Sequence, residues 1–376
     1  MVAGEASGDL LAGLLLSGLR RQRPGLATHG IGGPRMREQG FVADWPSDKL
    51  AVRGYVEVLR HYREITGIRR QLRARLLAER PDLFIGVDAP DFNLDLETSL
   101  RAAGIPTVHF VGPSIWAWRG ERIARIGRAV DHMLVLFPFE PALYHRAGIA
   151  ATYVGHPLAD VIPLAPDRAA ARAALGLPDG ARVVALLPGS RLSEIRYIAP
   201  VFLAAAAELA RTDPDLRLVA PMAGAATQAA FAAWLAAHPE LRVQTVPGQS
   251  HAVLAACDAA LVASGTATLE TALFKRPMVI AYRMAALSWF LMKRMKYQPW
   301  VGLPNILAGE FLVPEFLQDA ATPGALAAAL RFQLDDAANR ARLTERFTRM
   351  HAELRCDTAT RAATVIGELL DRKGRQ

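Results

Sequence analysis

Two kinds of residue cluster in this chain suit chemistry on an alcohol and a phosphate. The first supplies carboxylates. Gly86-Val87-Asp88-Ala89-Pro90-Asp91-Phe92-Asn93 follows an apolar run, and a carboxylate at the end of a strand is placed to take a proton from a hydroxyl. Asp88 is the first choice for such a base, with Asp91 its competitor; the plain alternative makes both turn and helix-cap residues. Gly4-Glu5-Ala6-Ser7-Gly8-Asp9 has the same character. Glu5, Ser7 and Asp9 suit contacts with sugar or acceptor polar groups, or they cap the helix that starts at Leu10. Glu5 is a third carboxylate that could act as base.

The second kind suits anions. Ala263-Ser264-Gly265-Thr266-Ala267-Thr268-Leu269-Glu270 reads as a strand end opening into a helix, where small residues and unpaired N–H groups can hold phosphate. Ser264, Gly265 and Thr266 would cradle a diphosphate, with Glu270 one turn inside to reach a ribose; the competing reading is an ordinary N-cap. Leu187-Pro188-Gly189-Ser190-Arg191 also ends a strand. The Arg191 fork can hold two oxygens of a leaving diphosphate beside Gly189 and Ser190, unless it is only a solvated turn arginine.

Pro113-Ser114-Ile115-Trp116-Ala117-Trp118-Arg119 adds paired tryptophans suited to packing on sugar or acyl groups, although burial is the commoner fate of tryptophan. Two basic amphipathic segments suit an anionic membrane interface. In the first, Ile65, Ile68 and Leu72 share a face beside Arg69, Arg70 and Arg73; in the second, Phe290 lies near Lys293. Packing against the protein's own sheet is the simpler account of each. Asp95-Leu96-Glu97 has the look of a metal-binding pair but falls in a helical pattern, so a solvated face is expected and no metal is predicted.

The elements that must position these residues are strands and helices in alternation, the pattern of parallel α/β sheets. Residues 83–87, 107–111, 132–136, 183–187, 216–221, 243–246, 259–262 and 278–282 read as buried strands. The proline- and glycine-containing stretch 154–160 predicts a boundary between a domain of residues 1–156 and one of residues 157–357, with a further helix at about 358–370. With 376 residues, 52% of them hydrophobic, two domains are expected. Only Met1-Val2-Ala3 precede the first loop, fewer than the five or six residues of an ordinary strand, so the native start is expected upstream. The two cysteines exclude a disulfide scaffold. A net charge of +8 favours phosphate-bearing partners without choosing among nucleotide, anionic lipid and nucleic acid. No signal peptide and no apolar run of the roughly 18 residues that span a bilayer are read, so a cytoplasmic protein with peripheral membrane contact is expected.

Seven segments in order resemble the lipid-A-disaccharide synthase family. They are the five motifs spelled out above together with Gly155-His156 and Leu303-Pro304-Asn305-Ile306-Leu307-Ala308-Gly309. The resemblance implies the GT-B fold, two Rossmann-like domains whose parallel sheets face a central cleft, with the final helix crossing back to the first. It implies an inverting hexosyltransferase that joins UDP-2,3-diacylglucosamine to 2,3-diacylglucosamine 1-phosphate, releasing UDP. Asp88 would deprotonate the acceptor 6-hydroxyl, Arg191 and Ser264-Gly265-Thr266 would hold the UDP phosphates, Glu270 the ribose, and Asn305 would touch donor or acceptor. The implied setting is the anionic cytoplasmic face of the inner membrane, with no cofactor and no nucleic acid, and with room for a homodimer. The alternatives are another GT-B enzyme, such as a UDP-N-acetylglucosamine 2-epimerase or the N-acetylglucosamine transferase of peptidoglycan precursor synthesis, and a basic nucleic-acid-binding protein.

Overall fold

The computed structural model describes residues 1–50, 55–117, 120–285, 289–290 and 298–373, with the side chains of residues 6, 48, 55–62 and 373 left aside. The chain forms two compact units, Met1–Asp160 with Leu354–Gln376, and Val161–Glu353.

The first unit holds the strands β1 (Val2–Ala3), β2 (His29–Gly32), β3 (Val42–Pro46), β4 (Phe84–Val87), β5 (Thr107–Phe110), β6 (His132–Val135) and β7 (Ala151–Tyr153). Its helices are α1 (Glu5–Gln22), α2 (Pro34–Glu38), α3 (Tyr55–Glu79), α4 (Pro90–Ala102), α5 (Ile123–Ala129), α6 (Glu140–Arg146) and α7 (Pro157–Val161), the last reaching the unit boundary. The second unit holds β8 (Val183–Leu187), β9 (Arg217–Met222), β10 (Val243–Pro247), β11 (Ala259–Ala263), β12 (Met278–Tyr282) and β13 (Glu315–Leu317). Its helices are α8 (Arg168–Ala174), α9 (Leu192–Thr212), α10 (Ala225–Leu235), α11 (Ser250–Ala256), α12 (Thr266–Leu273), α13 (Leu303–Ala308), α14 (Pro323–Asp335) and α15 (Ala337–Leu354). The chain then returns to the first unit as α16 (Thr358–Lys373).

Every strand pairing is parallel. The sheet orders are β3-β2-β1-β4-β5-β6-β7 and β10-β9-β8-β11-β12-β13. Short Val-, Ile- and Leu-rich strands suit such sheets because helices cover both faces. In each sheet the chain order reverses once, between β1 and β4 and between β8 and β11. The ends of these strand pairs are in register, Ala3 opposite Val87 and Leu187 opposite Val262. The loops after them open on the carboxyl side of the switch point, where open α/β sheets bind ligands. All four loops are ones picked out in the sequence for chemistry.

The first strand is only Val2–Ala3, yet both residues are fully buried; Val2 pairs on either side, with Ile31 and Gly86, and Ala3 with Val87. The Met1 ammonium donates to His29 O at 2.7 Å, and burial lowers its pKa to about 5. Helix α16 lays Ala362, Ala363 and Ile366 into the core formed with Leu15, Leu16 and Leu19 of α1.

Helix α3 corrects one expectation. Ile68 and Leu72 do not face a membrane: they are buried at 7% and 0% exposure beside Leu76, Phe84 and Phe92, and Ile65 packs on the same cluster. The apolar stripe was already spent on the protein's own sheet. Removing buried methyl groups there costs about 2–5 kcal/mol. Leu72→Ala is therefore expected to lower the melting temperature by several degrees while leaving vesicle sedimentation unchanged. A normal melt with lost sedimentation would contradict this packing role.

Candidate functional site

The switch point of the second sheet opens into a cavity of about 380 Å³. Gly189, Ser190 and Arg191 line it from the β8 loop, and Ser264, Gly265, Thr266 and Glu270 from β11 and α12. All the residues picked out for UDP thus share one wall. Gly265 adopts φ 135°, a conformation open to glycine, and as N-cap of α12 it offers no side chain to the first amides. Those donors and the positive helix end favour an anion. In the β8 loop the amides of Ser190 and Arg191 already donate to Glu194 Oε2, at 2.8 and 3.1 Å. What that loop can still offer a phosphate is the rest of the Arg191 guanidinium, which is 59% exposed and donates to Glu194 Oε1 at 3.1 Å, and the Ser190 hydroxyl.

Glu270 lies in the same cavity with its side chain 19% exposed. Burial pushes its pKa up to about 7. Its neighbour His251, 3.7 Å away, is pushed down by burial. The pair is therefore not a strong ion pair near neutrality, and the carboxyl can switch between donor and acceptor toward a ribose. Glu194, Gly248 and Ser250 also line the cavity and were missed in the sequence. Gly248 and Ser250 follow β10 as the other loops follow their strands, which was the available signal.

The switch point of the first sheet opens into a second cavity, of about 420 Å³, lined by Glu5, Asp88 and Asp91 with Ile65, Thr66 and Arg69. Asp88 and Ala89 both sit in the left-handed region, at φ 52° and 45°. Non-glycine residues held there carry strain that concentrates at functional sites. The loop is pinned because Asp88 N donates to Phe110 O at 2.9 Å and Asn93 Nδ2 donates to Asp88 O at 2.8 Å. Burial raises the Asp88 pKa; the Ala89 amide and His109 work against that, and Glu5 adds to it. Asp91 is 75% exposed and paired with Arg122 at 3.1 Å, a surface setting that suits an orienting or capping residue better than a base.

Other choices fall differently. Asp9 is 3% exposed and accepts from the amides of Gly33, Arg35 and Met36, so it caps α2 rather than meeting a sugar. Asn305 is fully buried and saturated. Its Nδ2 donates to Val313 O and Glu315 Oε1, and its Oδ1 accepts from the amides of Leu312 and Val313. It folds its own loop and has no capacity left for a ligand. Ser7 stays exposed. Trp116 is half-buried, donates to Glu140 at 3.2 Å and meets Phe137 and Phe139 edge-on. Asp95-Leu96-Glu97 is not a solvated face throughout: Asp95 pairs with Arg69 and Arg125, but Glu97 is fully buried. Arg70 and Arg73 are exposed and, with Arg69, Arg125 and Arg128, line a groove of about 660 Å³. Phe290 is 51% exposed, whereas Trp118 and Lys293 lie outside the described residues. Among the described residues there is no cluster of metal-binding side chains and no helix long and apolar enough to cross a membrane.

A family model described as Lipid-A-disaccharide synthetase matches residues 1–366. The chain belongs to the lipid-A-disaccharide synthase family. Lipid-A-disaccharide synthases of Albidiferax ferrireducens and Cupriavidus pinatubonensis are 60% and 58% identical to it, over 98% and 100% of this chain and 96% and 93% of theirs. At this identity the activity is that of the family: a hexosyltransferase that condenses UDP-2,3-diacylglucosamine with 2,3-diacylglucosamine 1-phosphate in lipid A biosynthesis. Solved structures share the fold at low identity. A UDP-GlcNAc 2-epimerase from Neisseria meningitidis, bound to UDP-GlcNAc, aligns with TM-score 0.63 at 13% identity over 99% of this chain and 98% of that one. One from Methanocaldococcus jannaschii, in complex with UDP-GlcNAc and UDP, gives 0.58 at 12% identity over 95% and 96%. The two parallel α/β units are thus of GT-B type, and the epimerase reading of the sequence is not favoured over the synthase family.

The Glu270 environment has a measurable consequence. With a folded pKa near 7 against an ordinary 4.5, the folded state binds more protons than the unfolded state between those values. Glu270 therefore contributes a loss of stability as pH rises through that window. Glu270→Gln is expected to stabilise the protein relative to the parent more at pH 8 than at pH 5, read by thermal melts. An equal difference at both values would show that the carboxyl is not held out of water.

Proposed function

We propose that Asp88 is the general base of the transfer and that the cavity at β8 and β11 takes the UDP portion of the donor. As Asp88 removes the proton from the acceptor 6-hydroxyl, O6 forms a bond to C1 of the donor sugar. The bond from C1 to the phosphate oxygen breaks, and its electron pair leaves with UDP. Attack opposite the leaving group inverts C1 in one displacement, which needs one base and a stabilised leaving group. Arg191 and the Ser264-Gly265-Thr266 start of α12 meet the diphosphate charge, with Gly189 letting the backbone come close; Glu270 meets the ribose. The observation that carries this reading is that the Asp88 loop and the UDP loops each lie at their own sheet's switch point. Glu5 flanks Asp88 in the same cavity and is the second carboxylate to test.

Ser7, Trp116 and Trp118 are the remaining choices for acceptor contact. The exposed Arg70 and Arg73 with Phe290 support peripheral binding to the anionic cytoplasmic face of the inner membrane, through basic side chains and not through the buried stripe of α3. The acceptor carries acyl chains that favour such a surface.

Disaccharide and UDP formation from the two acylated sugars is the direct assay. Asp88→Asn is expected to lower kcat by about 10²–10⁴, the usual contribution of a general base, with UDP affinity retained. Unchanged turnover would remove Asp88 from that role. Arg191→Ala is expected to weaken UDP binding about 10- to 100-fold, in line with loss of a charged hydrogen bond, and calorimetry showing equal affinity would refute it. Arg70→Ala with Arg73→Ala should reduce sedimentation with anionic vesicles at low salt and leave neutral vesicles unaffected.

A further inference from the structure

Beside Asp88 the first unit buries a pair of ionisable groups that the transfer just described does not use. Glu97 of α4 and His109 of β5 both have zero exposure, and His109 Nδ1 lies 2.8 Å from Glu97 Oε1. The sequence makes room for them deliberately. His109 is the strand partner of Gly86, and a β-carbon at position 86 would collide with the Glu97 carboxylate and crowd Asn93 at 3.0 Å. Glycine two residues before Asp88 is thus what admits the carboxylate to the imidazole. Asn93, which holds the Asp88 carbonyl, is fully buried in the same knot.

Stability does not account for the arrangement. Asn93 Oδ1, Glu97 Oε2 and His109 Nε2 are buried without a hydrogen-bond partner. Well-packed apolar residues of similar volume often replace a buried ion pair with no loss of stability. The pair does have an electrostatic consequence. Burial is the largest single influence and opposes charge on His109, but Glu97, Asp88 and the Val111 backbone together outweigh it, so the imidazole sits above its ordinary value. His109 in turn works against the burial that would protonate Asp88. The other charged groups around the Asp88 cavity are Glu5 from α1, Arg69 from α3 and Asp91 from α4. Arg69 is engaged with Asp95 and the Asp91 carbonyl.

We propose that Glu97 holds His109 as a cation beneath the Asp88 loop, and that this buried charge keeps Asp88 ionised in its desolvated cavity. Glu97 and His109 are then positioning residues for the base, and the idea rests on the reading of Asp88 given above. Neither touches substrate. Removing the cation makes Asp88 harder to ionise, and removing it while Glu97 keeps its charge makes this harder still.

The test is kcat/KM for the acceptor against pH, at saturating donor, in the full chain and in Glu97→Gln and His109→Gln. Both variants are expected to move the acidic limb to higher pH, His109→Gln further. Each unit of displacement is a tenfold loss on that limb, with activity recovering toward the plateau at high pH and UDP affinity unchanged. A misfolded fraction lowers the whole profile but cannot move its limb. A limb that stays in place, with activity reduced by one factor at every pH, overturns the proposal.

If a variant proves too inactive to profile, the reciprocal measurement decides. The His109 ring, observed by NMR in histidine-labelled full chain and assigned with His109→Gln, should titrate at lower pH in Asp88→Asn than in the parent. An unchanged titration overturns the coupling. Full turnover by Asp88→Asn would instead remove the base assignment while leaving the coupling measured, so the two failures are distinct.

Discussion

A parallel sheet covered by helices on both faces has almost no surface to offer a ligand, and this constraint organises the whole molecule. Ladder hydrogen bonds occupy the backbone, and helices occupy the faces, leaving the carboxyl ends of the strands. Where the strand order reverses, adjacent loops diverge and leave a crevice. Both sheets reverse once. The first puts the Glu5 and Asp88 loops side by side, and the second does so for the Arg191 and Ser264 loops. The chemistry of each unit is placed by topology before any side chain is chosen.

The sequence made much of this legible. The strands from β4 to β6 and from β8 to β12 announced themselves as apolar runs of the right length, although β10, expected to be buried, is an edge strand with only Val246 buried. Strands β2 and β3, built on His29-Gly30-Ile31-Gly32 and Val42-Ala43-Asp44-Trp45-Pro46, did not, because glycine, proline and charge hide a strand from any hydrophobicity pattern. The residues lining the second unit's cavity were legible as a set because they sit on glycine- and hydroxyl-bearing loops at strand ends. Asp9 and Asn305 deceived for the converse reason: a polar side chain in a glycine-rich loop looks the same whether it serves a ligand or the loop's own amides. Only the count of donors and acceptors around each separates the two cases. Glu97 was read as part of a solvated face and its pairing with His109 went unnoticed, since that partnership depends on Gly86 across a strand pair, which no local spacing reveals.

Buried carboxyls recur with different outcomes. Glu140, held by the amides of Leu136 and Phe137 and by Trp116, is still pushed to about 7 by burial and serves to tie a loop and an aromatic cluster together. Glu270 reaches a similar value inside a cavity open to ligand. Asp88 is raised too, with the Ala89 amide and His109 working against its burial. A proton-accepting group needs to be dry enough to be basic and charged enough to be vacant, and these three sites sample that balance differently.

The return of α16 to the first unit bears on how the protein is made. Synthesis runs from the amino to the carboxyl end, so the sheet of the first unit emerges early while the helix that closes its core against α1 follows the whole of the second unit. Among the described residues, all six strands of the second unit precede α15 and α16, so its sheet can form before α16 emerges. Leu15, Leu16 and Leu19 therefore wait through the translation of nearly two hundred intervening residues (Val161 to Glu353) with part of their apolar surface uncovered. The unit begun first is the one finished last, and its nascent form is where chaperone contact or premature association would concentrate.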